Sequence, residues 1–198
     1  MTGLLPLVLT SGWASGINAY GVIVVMGLLG RFAGVGSVPQ ALERPEVLLL
    51  AGAMFTVEFV ADKIPYVDSV WDAVSTVVRP TLGALVGYLI AGDAGSVDAN
   101  QALYTVLGGG SALASHGVKS GLRLAVNASP EPVTNVVVSL GEDAAVASVV
   151  SLALYHPWLA LGVASTLFFI GVLLVVLLFR LVRRGWNRRV ERRRTLVA

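Results

Sequence analysis

The sequence predicts an all-α, polytopic membrane bundle of about six helical segments, arranged as two inverted three-helix repeats with broken helices. Three observations predict it. The chain of 198 residues is 56% hydrophobic and only 13% charged, with mean hydropathy +0.79, whereas soluble domains carry roughly 25% charged residues. Its apolar residues gather into runs punctuated by proline, glycine and charge. The run WLALGVASTLFFIGVLLVVLLF, residues 158–179, is uncharged and about as long as a bilayer core requires.

The segments follow in order. Residues 4–29 are apolar but interrupted by SGWASGINAYG, which brings Gly12, Gly16, Asn18 and Gly21 into the run. Residues 46–61 follow Pro45, a residue suited to the first turn of a helix, and Pro65 ends them. Residues 67–90 carry Arg79-Pro80 mid-way, where proline kinks or breaks a helix. Residues 99–126 are interrupted by GGGSALASHG, and residues 133–155 contain Gly141-Glu142-Asp143. His156-Pro157 leads into the last span.

Organisation follows from charge. Arg180, Arg183, Arg184, Arg188, Arg189, Arg192, Arg193 and Arg194 hold eight of the 14 basic residues, so residues 180–198 form a basic tail behind a membrane domain over residues 1–185. A basic tail is also a feature of nucleic-acid binders, but one that follows an apolar run obeys the positive-inside rule and attracts anionic lipid headgroups. The expected partners are therefore the bilayer and its headgroups, not nucleic acid. Six spans place both termini on one side, the cytoplasmic side of an inner (plasma) membrane. The loop with Asp93 and Asp98 then lies outside, as does the loop with Arg31 and Arg44, against the rule. MTGLLPLVLTSGWASG lacks a positive n-region and is expected to be retained.

Two stretches align. PEVLLLAGAMFTVE starts at Pro45 and PEPVTNVVVSLGED at Pro130; each ends on a carboxylate, Glu58 or Asp143, and each lies downstream of a small-residue interruption. Three spans per unit, over about residues 4–92 and 98–179, invert the second copy, as in many secondary transporters, whose sites lie where broken helices meet at the midplane.

Charge inside a membrane costs roughly 2.5–3.5 kcal/mol per group at a helix centre, so it is paired, neutralised or functional. Glu58 and Asp62 share one helical face. Asp68, Asp72 and Arg79 form a polar stripe, read as a helix start along the membrane interface with Tyr66 and Trp71 at headgroup depth and Asp72 paired to Arg79. Glu58 and Asp143, with Glu142 beside it, are candidate ion-binding carboxylates. His116, Lys119 and Arg123 recur at helical spacing as a basic face that either compensates them or engages an anion, and Asn18 offers an amide from the first interruption.

Catalytic signatures are weak. There is no cysteine, which removes disulfides, thiolate metal sites and a cysteine nucleophile. No GxSxG, HExxH or P-loop occurs, and no His/carboxylate spacing suggests a metal. No enzyme activity and no cofactor are expected.

ASGINAY, EFVADKIPYVDSVWDAV, RPTLGAL, the H-G-x-K-S-G-x-R stretch from His116 and VNASPEPVTNVVVSLGED together resemble a family of small bacterial integral membrane proteins, domain of unknown function 4126. The resemblance covers roughly residues 9–158 and implies a polytopic membrane protein without assigning a reaction or a substrate. The expected function is a transporter or channel of unknown substrate, proton- or cation-coupled. The alternative is a membrane scaffold or accessory subunit whose buried ion pairs fix helix packing. Short spans also suit a homodimer.

Overall fold

The computed structural model describes residues 3–64, 66–96, 99–127 and 132–195, with side-chain surroundings for all of these except 125–127, 132, 182 and 184–195. Pro65, Asp98, Pro130 and Glu131, and the side chains of most of the arginine tail, lie outside that description.

Every described element is helical: α1 (Leu4–Ala33), a short 3-10 turn (Gln40–Glu43), α2 (Pro45–Ala61), α3 (Val67–Asp93), α4 (Ala99–Asn127), α5 (Pro132–Tyr155) and α6 (Pro157–Thr195). Prolines open α2, α5 and α6, where a missing N–H removes no helical bond. Four helices (α1, α3, α5 and α6) are long and apolar enough to cross a membrane. Charged side chains are buried beside an apolar core while many large apolar ones face outward: Leu49 is 75% exposed, whereas Arg79 is 1% exposed. That is the distribution of a membrane protein.

α1 is not one straight span. Asn18 takes φ −150° and ψ 95° within it, and the chain reverses there. Residues 4–17 run parallel to α4: Ser111, Ser115 and Lys119 donate to the carbonyls of Leu9, Trp13 and Ile17 at 2.8, 2.7 and 3.0 Å. Residues 19–33 return antiparallel to α2, with Gly21 beside Phe55 and Gly27 beside Leu42 and Leu48. Both ends of α1 reach the same end of the bundle. Val8 packs near Gly87 of α3, and just beyond α1 the Gln40 N–H donates to Asp93 at 2.9 Å. Each half is only about 21–23 Å long at 1.5 Å per residue, less than the ~30 Å of a hydrocarbon core. The hairpin therefore dips to mid-height and comes back.

Two small-residue seams hold the centre. A Cβ on Gly12 or Gly16 would collide with Gly108, Ala112 or Ser115 of α4, and one on Gly83 or Gly87 with Ala112, Gly108 or Tyr104. Backbones approach closely there, as membrane helices do at small residues. α1 packs on all five other helices.

Two expectations are corrected. α4 is continuous through GGGSALASHG: Gly108 and Gly109 lie against α3 instead of breaking the helix. The two halves are thus unlike, one opening on a reversing helix and the other on an unbroken one, and the scheme of paired broken repeats does not describe them. α3 likewise runs unbroken through Pro80, clamped to α4 on the C-terminal side of that residue. Gly3 abuts Pro157 at the start of α6, which then follows α4 downward, Gly171 against Val118 and Gly121 against Val175. α6 continues for 39 residues. The start of α1 therefore sits beside the first turn of α6, far from that helix's last described turn.

Candidate functional site

The break in α1 sits at the level where the buried charges meet. Asn18 caps the second half-helix: its Oδ1 accepts the Gly21 N–H at 2.8 Å, an N-cap interaction that satisfies one orphan donor. Its Nδ2 donates to Asp143 Oδ1 at 3.0 Å, which fixes the amide's orientation, since a carboxylate only accepts. Asp143 thus faces the positive end of the 19–33 half-helix. On the other side of the break, the Lys119 ammonium donates to the Ile17 carbonyl. Both raw ends of the broken helix are satisfied by charged or amide groups.

Arg79 organises one lobe of the network. Nη2 and Nε reach Glu58 Oε1 at 2.6 and 3.2 Å, and Nη1 reaches Asp72 Oδ1 at 2.8 Å. Nη1 also lies 2.8 Å from His116 Nδ1. Guanidinium has no acceptor, so Nδ1 must offer its lone pair and the ring proton sits on Nε2. Nε2 lies 3.0 Å from Thr76 Oγ1 and 3.3 Å from Ser120 Oγ.

Arg123 and Lys119 organise the other lobe. Lys119 pairs with Asp62 at 2.5 Å and Glu142 at 3.3 Å. Arg123 pairs with Glu142 at 2.6 Å and approaches Asp62 and Asp68, each at 3.6 Å. It also donates to Asn135 Oδ1 at 2.7 Å and to the Asp62 carbonyl at 2.8 Å, one of the carbonyls left over where α2 ends. At the rim, Lys63 lies 3.7 Å from Asp143, donates to Ser139 at 3.2 Å and sits 3.0 Å over the Phe59 ring. Burial pushes the Lys63 amine below its ordinary value, while Asp143 and Asp62 pull the other way.

All the residues singled out from the sequence converge here: Asn18, Glu58, Asp62, Asp68, Asp72, Arg79, His116, Lys119, Arg123, Glu142 and Asp143. Their pairing differs from the reading in places. Glu58 binds Arg79 and Asp143 binds Asn18 and Lys63, so the two carboxylates belong to different parts of the network. Asp68 and Asp72 are buried and face Arg123 and Arg79, so the stripe along the start of α3 points into the bundle. Ser115 turns its hydroxyl to Trp13 while His116 turns to Arg79, so the neighbouring pair does not meet. Lys63, Thr76, Asn135 and Ser139 were missed. Asn135, Ser139 and Glu142 fall at i, i+4 and i+7 on α5, a spacing that places them on one face.

Among the described residues, no group of three His, Asp or Glu side chains is placed to hold a metal ion. Comparison with curated proteins and with solved structures returns no match. The family model for the domain of unknown function DUF4126 matches residues 5–180, extending beyond the motif-bearing stretch into the apolar part of α6. The match covers most of a multi-helix membrane chain whose charged residues gather at one buried level: this protein belongs to the DUF4126 family.

Proposed function

We propose that this chain is a multi-pass membrane transporter or channel that takes up a proton or a small cation at the network where α1 reverses. The charge balance at that level carries the reading. Six carboxylates (Glu58, Asp62, Asp68, Asp72, Glu142 and Asp143) face at most four cations, Lys63, Arg79, Lys119 and Arg123. His116 is held neutral by its bond to Arg79. Glu58 Oε2, Asp62 Oδ1 and Asp72 Oδ2 are buried without a hydrogen-bond partner among the described residues. Two surplus negative charges in a low-dielectric interior demand protons or a cation. In this reading Glu58 and Asp62 hold the transported or coupling ion, Arg79 and Lys119 set their charge, and the hairpin tip supplies irregular backbone at membrane depth. The arginine tail marks the cytoplasmic side of a plasma membrane, and the N-terminus faces the other side.

The scaffold reading keeps one supporting observation: Arg79, Lys119 and Arg123 each bridge at least two acids, which ties helices together whatever else it does. The two readings separate in liposomes. Purified protein would be reconstituted with a trapped pH-sensitive dye, and imposed proton, sodium and potassium gradients followed. Wild type is expected to dissipate or exchange one of them, and Glu58→Gln to abolish that flux while melting within a few degrees of wild type. A wild-type protein inert to every gradient, with Glu58→Gln simply less stable, would move the assignment to the scaffold.

A further inference from the structure

We infer that a crevice between α3 and α4 is the water-filled route by which protons or small cations reach the network from the arginine-tail end. The crevice encloses about 170 Å³ and is lined by Ser69, Asp72, Thr76, Ser120 and Arg123 among others. Its floor is the network itself, since Asp72 pairs with Arg79 and Arg123 with Glu142. Thr76 and Ser120, on opposite walls, are the two hydroxyls within reach of His116 Nε2. The ring nitrogen that carries the proton is therefore directed at the crevice side, and the nitrogen without it at Arg79.

Unsatisfied polar atoms point the same way. Asp72 Oδ2 is a buried acceptor and Arg123 Nε a buried donor, neither with a partner among the described residues. Both residues line this crevice. One donor and one acceptor, each costly to leave unmet in a dry interior, are what water entering the crevice would satisfy together. Acyl chains would satisfy neither. Depth agrees: α3, with 27 residues, is about 40 Å long, some 10 Å longer than a hydrocarbon core. Ser69, near its start, then lies at headgroup depth, and the crevice descends from there to His116.

The proposal rests on the network being an ion site, but water access is measurable without transport. The chain has no cysteine, so single cysteines report cleanly. Ser69→Cys, Ala73→Cys and Ser120→Cys place thiols on the crevice walls of two helices. Val77→Cys, at a position 72% exposed on the outer face, is the lipid-facing control. In sided vesicles a membrane-impermeant trimethylammonium thiosulfonate is expected to label the crevice cysteines from the α6 C-terminal side, roughly tenfold or more faster than Val77→Cys, because only a hydrated thiol ionises. Using three positions on two helices keeps the result independent of any one variant's folding. Failure to label all three, labelling only from the opposite side, or equal labelling of Val77→Cys would overturn the water route. An absence of flux with intact labelling would instead overturn the transport reading and leave the crevice standing.

Discussion

Arg79 Nη1 and His116 Nδ1 share a 2.8 Å contact at the centre of the bundle, so a permanent cation fixes the protonation of a buried imidazole. The contact requires an acceptor at position 116. His116→Gln, whose amide offers an oxygen to Arg79 and an N–H to Thr76, is expected to fold and melt near wild type. His116→Lys sets a second cation against Arg79 and is expected to yield little folded protein in detergent size-exclusion profiles.

Arg79 also neutralises Glu58 and Asp72. Removing one member of a buried ion cluster leaves its partners uncompensated, at a cost of about 3–5 kcal/mol. Arg79→Gln should therefore lose most of its folded yield. Adding Glu58→Gln and Asp72→Asn to that variant should recover part of it. A triple variant no more stable than Arg79→Gln alone would mean the loss comes from packing.

Asn18 serves two partners at the reversal of α1. Asn18→Ala forfeits the cap, about 1 kcal/mol, and leaves Asp143 without the amide. Asn18→Asp keeps a capping oxygen but faces Asp143 with like charge. Both should melt below wild type, Asn18→Asp the lower of the two, and the gap should close in Asn18→Asp combined with Asp143→Asn.

Gly16 and Gly117 separate close packing from chance. A Cβ at Gly16 would overlap Ser115 and Ala112, whereas nothing lies within 4 Å of one at Gly117. Gly16→Ala is expected to cost about 1–3 kcal/mol through overpacking. Gly117→Ala should be neutral or slightly stabilising in the same melting assay.

Topology offers a test of the α1 hairpin. Tags placed before Leu4 and after Ala198 should be found on opposite sides of the membrane by protease protection. Tags on the same side would mean that α1 crosses the bilayer after all.

Much of this was legible in the sequence. The proline-led helix starts and the apolar run of α6 follow from local rules, and burying isolated charge in oil forces Glu58, Asp62, Lys119 and Arg123 to find one another. What was not legible depends on neighbours. GGGSALASHG reads equally as a break and as a packing face, and only the approach of Gly83 and Gly87 decides for the second. Asn18 reads as one polar residue among small ones until Asp143 arrives, 125 residues later, to hold it. The pair of Asp72 with Arg79 follows from their spacing, whereas that of Asp68 with Arg123 depends on how α4 packs against α3.

The network also imposes an order of events on biosynthesis. Asp62 is made 57 residues before Lys119, its nearest cation. Asp62 closes α2, and α4, which carries Lys119, is not among the described helices long and apolar enough to cross a membrane by themselves. While the ribosome is still extending the chain, Asp62 has only its neighbour Lys63 close by as a counter-charge. The pair with Lys119 can form only once α4 has emerged, so the contact between the end of α2 and α4 is made late in synthesis.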